Sequence, residues 1–295
     1  MKNTLFVIFS VAICLAVVAY MQIAAHAQSA PGNLTASDSV MNKSKNTILI
    51  TGGSSGIGME LAERFSKEGH TVIICARGEE RLKAVQARNP DIHIRVCDVG
   101  GARQREELAA WVMENFPKMN ILINNAGVQQ FSNIRDLNGN WDWYEQEIDI
   151  NLKGPIHLTM LFADHLLKQE SAAIVSVTGG VAYTPIAAAP IYGATKAGIH
   201  NFTRSMRDHF AGTAVEIIEI IPPSVGGTYL GGRGLRTGGV PLGEYMDSVM
   251  KGFHEGKTEL TYEVTDQVVY MTRDELEQRT VEITKMIPVP PATKK

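Results

Sequence analysis

The sequence predicts an α/β protein: a doubly wound parallel sheet in three layers, α/β/α, within a single domain. Short apolar runs recur along the chain, and amphipathic helical patterns separate them. The first run leads straight into a glycine-rich turn, Thr51-Gly52-Gly53-Ser54-Ser55-Gly56-Ile57-Gly58. Continuous apolar runs are what strands buried on both faces require. Repeated βα units close into a parallel sheet whose ligand lies beyond the carboxyl ends of the strands.

The elements follow in order. Ile48-Leu49-Ile50 forms the first strand, and a helix runs from Met59 to about Glu68. A strand, a glycine turn and a helix leave free backbone N–H groups at a helix N-terminus, where a phosphate is held. Gly52, Gly56 and Gly58 supply the tight turn, the close approach and the helix–sheet packing, with Ser54, Ser55 and Ile57 between them. Thr71 to Ala76 is the second strand and Ile92 to Val96 the third. Asn120 to Ile123 is the fourth, running into Asn124-Asn125-Ala126-Gly127. Ala172 to Val177 and Val215 to Ile221 are the fifth and sixth. A glycine-rich stretch from Gly226 to Gly243 reads as a lid that gates access and excludes water. A helix from Leu242 to Phe253, a last strand from Glu259 to Val264, a charged helix from Arg273 to Met286 and a frayed tail from Pro288 complete the chain. The expected divisions are a leader at 1–27, a linker at 28–45, the nucleotide-binding domain at 46–264 and a helical extension at 265–295.

Chemistry centres on Tyr192 and Lys196, in Pro190-Ile191-Tyr192-Gly193-Ala194-Thr195-Lys196. Four residues apart on a helix, they share one face, so the ammonium sits beside the phenol. A free phenol, with a pKa of about 10, is a poor acid at neutral pH. A nearby cation favours the phenolate and brings that pKa toward the working range.

Thr51 to Gly58, Asn124 to Gly127, Asn151, and Tyr192 with Lys196, in this order and at these spacings, resemble the short-chain dehydrogenase/reductases. The likeness runs from about Lys45 to about Thr261, and four ordered motifs make it specific. Ala187-Ala188-Ala189-Pro190-Ile191-Tyr192 and Pro222-Pro223 look closest to the branch associated with D-alanine esterification of teichoic acids. The resemblance implies a Rossmann fold and hydride transfer between a nicotinamide and a small carbonyl or alcohol substrate. Tyr192 would be the proton donor and acceptor, Lys196 would hold the nicotinamide ribose, and Asn151 would hold a water in the proton path. Asp98 and Val99 would contact the adenine, Asn125, Ala126 and Gly127 would line the adenosine side, and Val225 and Thr228 would meet the cofactor after the sixth strand. A homo-oligomer is also implied.

Two positions depart from the family. A serine that helps bind the substrate carbonyl is Gly179 here, beside Thr178, and the threonine of the loop after the sixth strand falls one residue late, at Thr228. Partial substitution by the Thr178 hydroxyl is the expectation. Loss of one preorganised donor typically costs about 2.7–4 kcal/mol of barrier. A cofactor-binding regulatory or scaffold protein with impaired catalysis is the competing reading.

Charge selects the cofactor. NAD sites place an acid at the end of the second strand, whereas an arginine there accommodates a 2′-phosphate. This chain has Ala76 at that position and Arg77 next, so NADP is expected over NAD.

With 295 residues, 44% of them hydrophobic, and a net charge of −3, the chain builds an adequate core and has no electrostatic case for nucleic acid. Three cysteines provide neither a disulfide framework nor metal-ligand spacing, and the eight histidines are scattered. Buried, reduced thiols are expected at Cys75 and Cys97, and no metal is expected. Trp141, Trp143 and Tyr144 are expected to pack the helix that leads to Asn151, a helix for which the resemblance also implies subunit contacts. The mostly apolar lid and Ala187 to Ala189 predict a pocket that is not strongly charged. Lys2, the apolar run Leu5 to Ala19 and Ala25-His26-Ala27 before Gln28 have the layout of a secretory signal, which predicts export or anchoring in a membrane. A start at Met41 would instead give a cytoplasmic protein.

Overall fold

Among the described residues, seven strands, all parallel, form one sheet in the order β3-β2-β1-β4-β5-β6-β7. They are β1 (Thr47–Thr51), β2 (Thr71–Ala76), β3 (His93–Val96), β4 (Ile121–Asn124), β5 (Ala172–Val177), β6 (Val215–Ile220) and β7 (Glu259–Leu260). The computed structural model describes residues 39–135, 141–230 and 237–291. Leader residues 1–27 and most of the expected linker lie outside them. The described residues belong to one compact unit that begins at Ala36.

Both faces of the sheet are covered, which is why the strands read as unbroken apolar runs. Ile48 and Ile50 point to one layer with Ile121, Ile123, Ala173 and Val175, while Leu49 points to the other with Leu122, Ala172 and Ile174. The period of two sorts one continuous run into two cores. Helices α1 (Gly56–Lys67), α2 (Glu79–Arg88) and α7 (Leu242–His254) cover the first face through Leu61, Phe65, Leu82, Val249 and Phe253. Helices α3 (Ala102–Asn115) and α5 (Gly154–Leu166) cover the second through Leu108, Val112, Leu158 and Phe162. Between them come α4 (Trp141–Ile148), which passes into a single π turn, Asp149–Lys153, and the long α6 (Pro190–His209). Short α8 (Val264–Val268) and α9 (Arg273–Met286) end the chain.

The chain's order reverses between β1 and β4, so their carboxyl ends flank the crevice where open α/β sheets bind ligands.

Several boundaries differ from expectation. α1 starts at Gly56, three residues before Met59, because close packing of Gly58 against the Asn125 amide and the Gly52 backbone overrides the low helix propensity of glycine. β7 stops at Leu260: Thr265 accepts the Tyr262 N–H through its hydroxyl, and Glu263 turns the chain with φ 45° into α8. The tail is anchored as far as Pro290, whose carbonyl accepts the Asn133 amide at 2.9 Å. Trp141 and Trp143 are 59% and 42% exposed, not packed inward, since the buried side of α4 is carried by Glu147.

The end of the expected linker is structural. Val40–Asn42 makes a 3-10 turn with Val40 and Met41 buried. The Ser39 hydroxyl and the Val40 N–H donate to the two carboxylate oxygens of Glu216, at 2.9 and 2.6 Å. A chain starting at Met41 would lose Val40, worth about 1.5–3 kcal/mol of burial, and both partners of Glu216. Its melting temperature should fall by roughly 5–10 °C relative to a chain starting at Ala36, measured by calorimetry. Equal melting temperatures would show that the turn contributes nothing.

Candidate active site

The glycine turn is held from across the crevice. The Asn125 amide donates to the carbonyls of Thr51, at 2.8 Å, and Gly52, at 3.3 Å. The Thr51 hydroxyl in turn accepts the N–H groups of Asn125 and Ala126, both at 3.0 Å. This tight lacing leaves no room for side chains. A Cβ on Gly58 would lie 2.4 Å from the Asn125 amide nitrogen, and one on Gly52 would lie 2.8 Å from the Ala126 Cα. Gly52 also has φ 69°, in the left-handed region. At the start of α1, the Ser55 hydroxyl makes no capping bond. The first-turn N–H groups are therefore left to an anion, with the helix dipole behind them.

Across the crevice, α6 carries Tyr192 and Lys196. Tyr192 and Lys196 are buried, and the Lys196 ammonium lies 5.7 Å from the Tyr192 ring centroid. It donates to the Val177 carbonyl at the end of β5, at 2.8 Å. Burial pushes the ammonium down to about 8, opposed by the charge of Glu147. Asn151 sits in the π turn with its whole amide engaged. Its oxygen accepts the Val128 N–H at 2.9 Å, and its nitrogen donates to the Val128 carbonyl at 2.8 Å and to the Thr195 hydroxyl at 3.2 Å. Thr195 passes the link on to the Tyr192 carbonyl at 2.8 Å. The Asn151 side chain is thus a clamp between the 125–130 strap and α6. π turns of this kind recur at functional sites because they re-aim side chains within a helix.

Glu147, one turn before Asn151, escaped the sequence reading. It is 1% exposed and accepts the Gln130 N–H at 2.9 Å. Burial pushes its carboxyl up to about 7, against the Gln130 N–H and the charge of Lys196. An acid four residues before Asn151 on an amphipathic helix was the available signal.

Thr178 does not take the part expected of it. Its hydroxyl donates to Glu219 Oε1 at 2.6 Å, within a buried cluster where His200 Nδ1 lies 2.8 Å from the same oxygen. Glu219 is fully buried, so Thr178 and His200 satisfy a carboxylate that would otherwise be stranded. Gly179 adopts φ 138° and ψ 160°, a region that essentially only glycine occupies. A side chain there would be strained even though the space is open, with Pro222 O the nearest atom at 3.6 Å. The missing serine is therefore a different backbone, not a simple deletion.

These pieces surround one cavity of about 1350 Å³. Of the residues predicted from sequence, all but Gly58 and Asn151 line it: Gly58 lies beneath the turn and Asn151 behind the strap. Val225 is fixed by the pairing of residues 224–226 with 240, and the Thr228 hydroxyl donates to the Val225 carbonyl. Thr228 rests over Gly56, whose added Cβ would lie 3.4 Å from its methyl. On the β2 side the Asp98 carboxylate accepts the Gly100 N–H at 2.9 Å, which shapes that wall of the cavity together with buried Val99. Arg77 there is joined by Arg81, whose guanidinium lies 5.3 Å from the Tyr229 ring centroid. Neither arginine has an ion pair among the described residues, and no carboxylate replaces Ala76 at the end of β2. A glycine cradle open only to backbone, next to two exposed guanidiniums, fits a dinucleotide carrying a 2′-phosphate. Cys75 and Cys97 also line the cavity as buried free thiols. No His, Cys, Asp and Glu cluster able to hold a metal occurs among the described residues.

The geometry has counterparts. The short chain dehydrogenase profile matches residues 46–233. The chain belongs to the short-chain dehydrogenase/reductase family. It is 42% identical over 238 residues to the uncharacterized oxidoreductase DltE of Bacillus subtilis, covering 79% of this chain and 94% of that one, which agrees with the branch its Ala187–Tyr192 stretch resembles. It is 31% identical over 219 residues to the NADP-dependent 3-hydroxy acid dehydrogenase YdfG of Escherichia coli K12, covering 74% of this chain and 82% of the relative. A short-chain dehydrogenase from Sphingobium yanoikuyae, solved with NADPH, shares the fold with a TM-score of 0.68 and 24% identity, over 85% of this chain and 98% of its own.

Glu147 makes a pH-dependent prediction for the chain. Because its folded pKa is raised, the folded state binds more protons than the unfolded one between the ordinary carboxylate range and about 7. The stability it contributes is present below that window and lost as pH rises through it. Glu147→Gln keeps an acceptor for Gln130 and does not ionise. Its melting temperature relative to wild type should therefore rise by several degrees between about pH 5 and about pH 8. A difference that stays constant with pH would mean the carboxylate is not desolvated.

Proposed function

We propose that this protein is an NADP-dependent oxidoreductase that interconverts a carbonyl and an alcohol. The observation that supports the reading most is the placement of Tyr192 and Lys196 on the same cavity as the glycine turn, with Arg77 and Arg81 at its far side. NADPH, when bound, supplies a hydride. The residues of the chain do the rest. Backbone N–H groups of the Ser54–Gly58 turn take the pyrophosphate, and Arg77 with Arg81 takes the 2′-phosphate. Lys196 sits where it holds the ribose and places a positive charge beside Tyr192. The Tyr192 hydroxyl would give its proton to the substrate's carbonyl oxygen as that carbonyl is reduced to the alcohol. Asn151 and Glu147 hold the strap that closes this pocket.

Gly179 favours one rival, a cofactor binder with weak catalysis. With the Thr178 hydroxyl committed to Glu219, no side-chain donor stands at that position to steady the developing oxygen charge.

Turnover of a carbonyl panel with NADPH separates the two. Tyr192→Phe should lower kcat by at least ~100-fold and leave NADPH affinity unchanged. Wild-type rates in that variant would overturn the mechanism, and absence of turnover in the wild type would leave the rival. By fluorescence titration, NADPH should bind at least ~10-fold tighter than NADH, about 1.4 kcal/mol. Arg77→Ala combined with Arg81→Ala should abolish that preference, and a preference that survives would place the 2′-phosphate elsewhere.

A further inference from the structure

Proton delivery by Tyr192 defines one end of the substrate. The same cavity is also lined by α9. This helix follows α8, whose Thr265 methyl would lie 3.2 Å from a Cβ on Gly180. It ends just before Pro290, which is bonded to Asn133 on the strap beyond Gly127. α9 therefore crosses the cavity on the β5 side, away from Arg77 and Arg81 on the β2 side. Arg279, Ile283, Met286 and Ile287 line the cavity, and their spacing places them on one stripe of the helix.

Arg279 is the charge in that stripe. It is half-buried, and it makes no hydrogen bond or ion pair with any described residue. By contrast, Arg273 on the same helix pairs with Glu277 at 3.1 Å. The two acids of the nearby wall are drawn to Tyr262: Glu244 accepts its hydroxyl at 2.5 Å, and Glu263 also borders it. Ile186, Val264 and Val268 line the same cavity, as do Glu244 and Glu263. A partly desolvated guanidinium without an anion is costly, and its planar fork matches a carboxylate. The pocket expected to carry little charge thus receives a cation besides Lys196, Arg77 and Arg81, from a helix outside the matched family region.

We infer that Arg279 anchors a carboxylate of the substrate, so that the preferred substrates are oxo acids and hydroxy acids rather than neutral ketones and alcohols. The inference rests on the oxidoreductase reading for its reaction, but not for its binding.

The test uses the full chain with NADPH and a homologous series of straight-chain oxo acids and their methyl esters. Wild type should favour the acids by at least ~10-fold in kcat/KM, mostly through KM. Arg279→Met should erase that preference while leaving ester turnover and NADPH affinity within ~2-fold, and Arg279→Lys should restore part of it. Equal use of acids and esters by wild type, or a preference retained in Arg279→Met, overturns the proposal. Quenching of NADPH fluorescence by the matching hydroxy acids and their esters reads the same ratio without turnover. If nothing is reduced, the oxidoreductase reading fails while the binding ratio still decides the anchor: tighter acid binding that depends on Arg279 upholds it, and equal binding sinks it.

Discussion

Two side chains, Thr51 and Asn125, join the ends of β1 and β4, and the cleft takes its shape from that junction. Each bond is modest, about 0.5–1.5 kcal/mol net, but they are partly buried together and satisfy the backbone where the strands stop. The consequence is steric. Once Asn125 reaches the carbonyls of Thr51 and Gly52, only glycine fits at Gly52 and Gly58, and α1 must begin immediately. A phosphate cradle then follows from the packing, before any ligand arrives.

A second layer of constraints passes from that junction to the reacting groups. The strap after Asn125 is fastened to α4 and its π turn by Glu147 and Asn151, and Asn151 reaches α6 through Thr195. Lys196 is tied to β5 at Val177, one residue before Thr178. Thr178 itself faces away, toward Glu219 and His200. The backbone between these commitments swings through Gly179 in a glycine-only conformation. Departure from the family at this position is thus coupled to a buried carboxylate behind β5, and a serine alone would not restore the usual geometry.

How legible this was depends on the range of the interactions. The strands were readable because apolar runs of this length have few alternatives, and the glycine turn because its spacing is local. Tyr192, Lys196 and Asn151 were readable as a pattern, and Arg77 from simple charge logic. What escaped depends on long-range packing. Nothing local says that Thr178 will be claimed by Glu219 on β6, that Asn151 will spend its amide on Val128, or that Glu147 will be buried. α9 was correctly bounded as a helix, yet its sequence does not reveal that Arg279 returns to the cleft. Trp141 and Trp143 misled for the opposite reason: large apolar residues suggest a core, but the helix places them at its exposed start.

The most direct measurement is a crystal structure of the full chain with NADP⁺. The pyrophosphate should rest on the N–H groups of residues 54–58, the 2′-phosphate between Arg77 and Arg81, and the nicotinamide beside Tyr192 and Lys196. A nucleotide bound with its adenosine away from Arg77 and Arg81, or with its nicotinamide out of reach of Tyr192, would contradict the account.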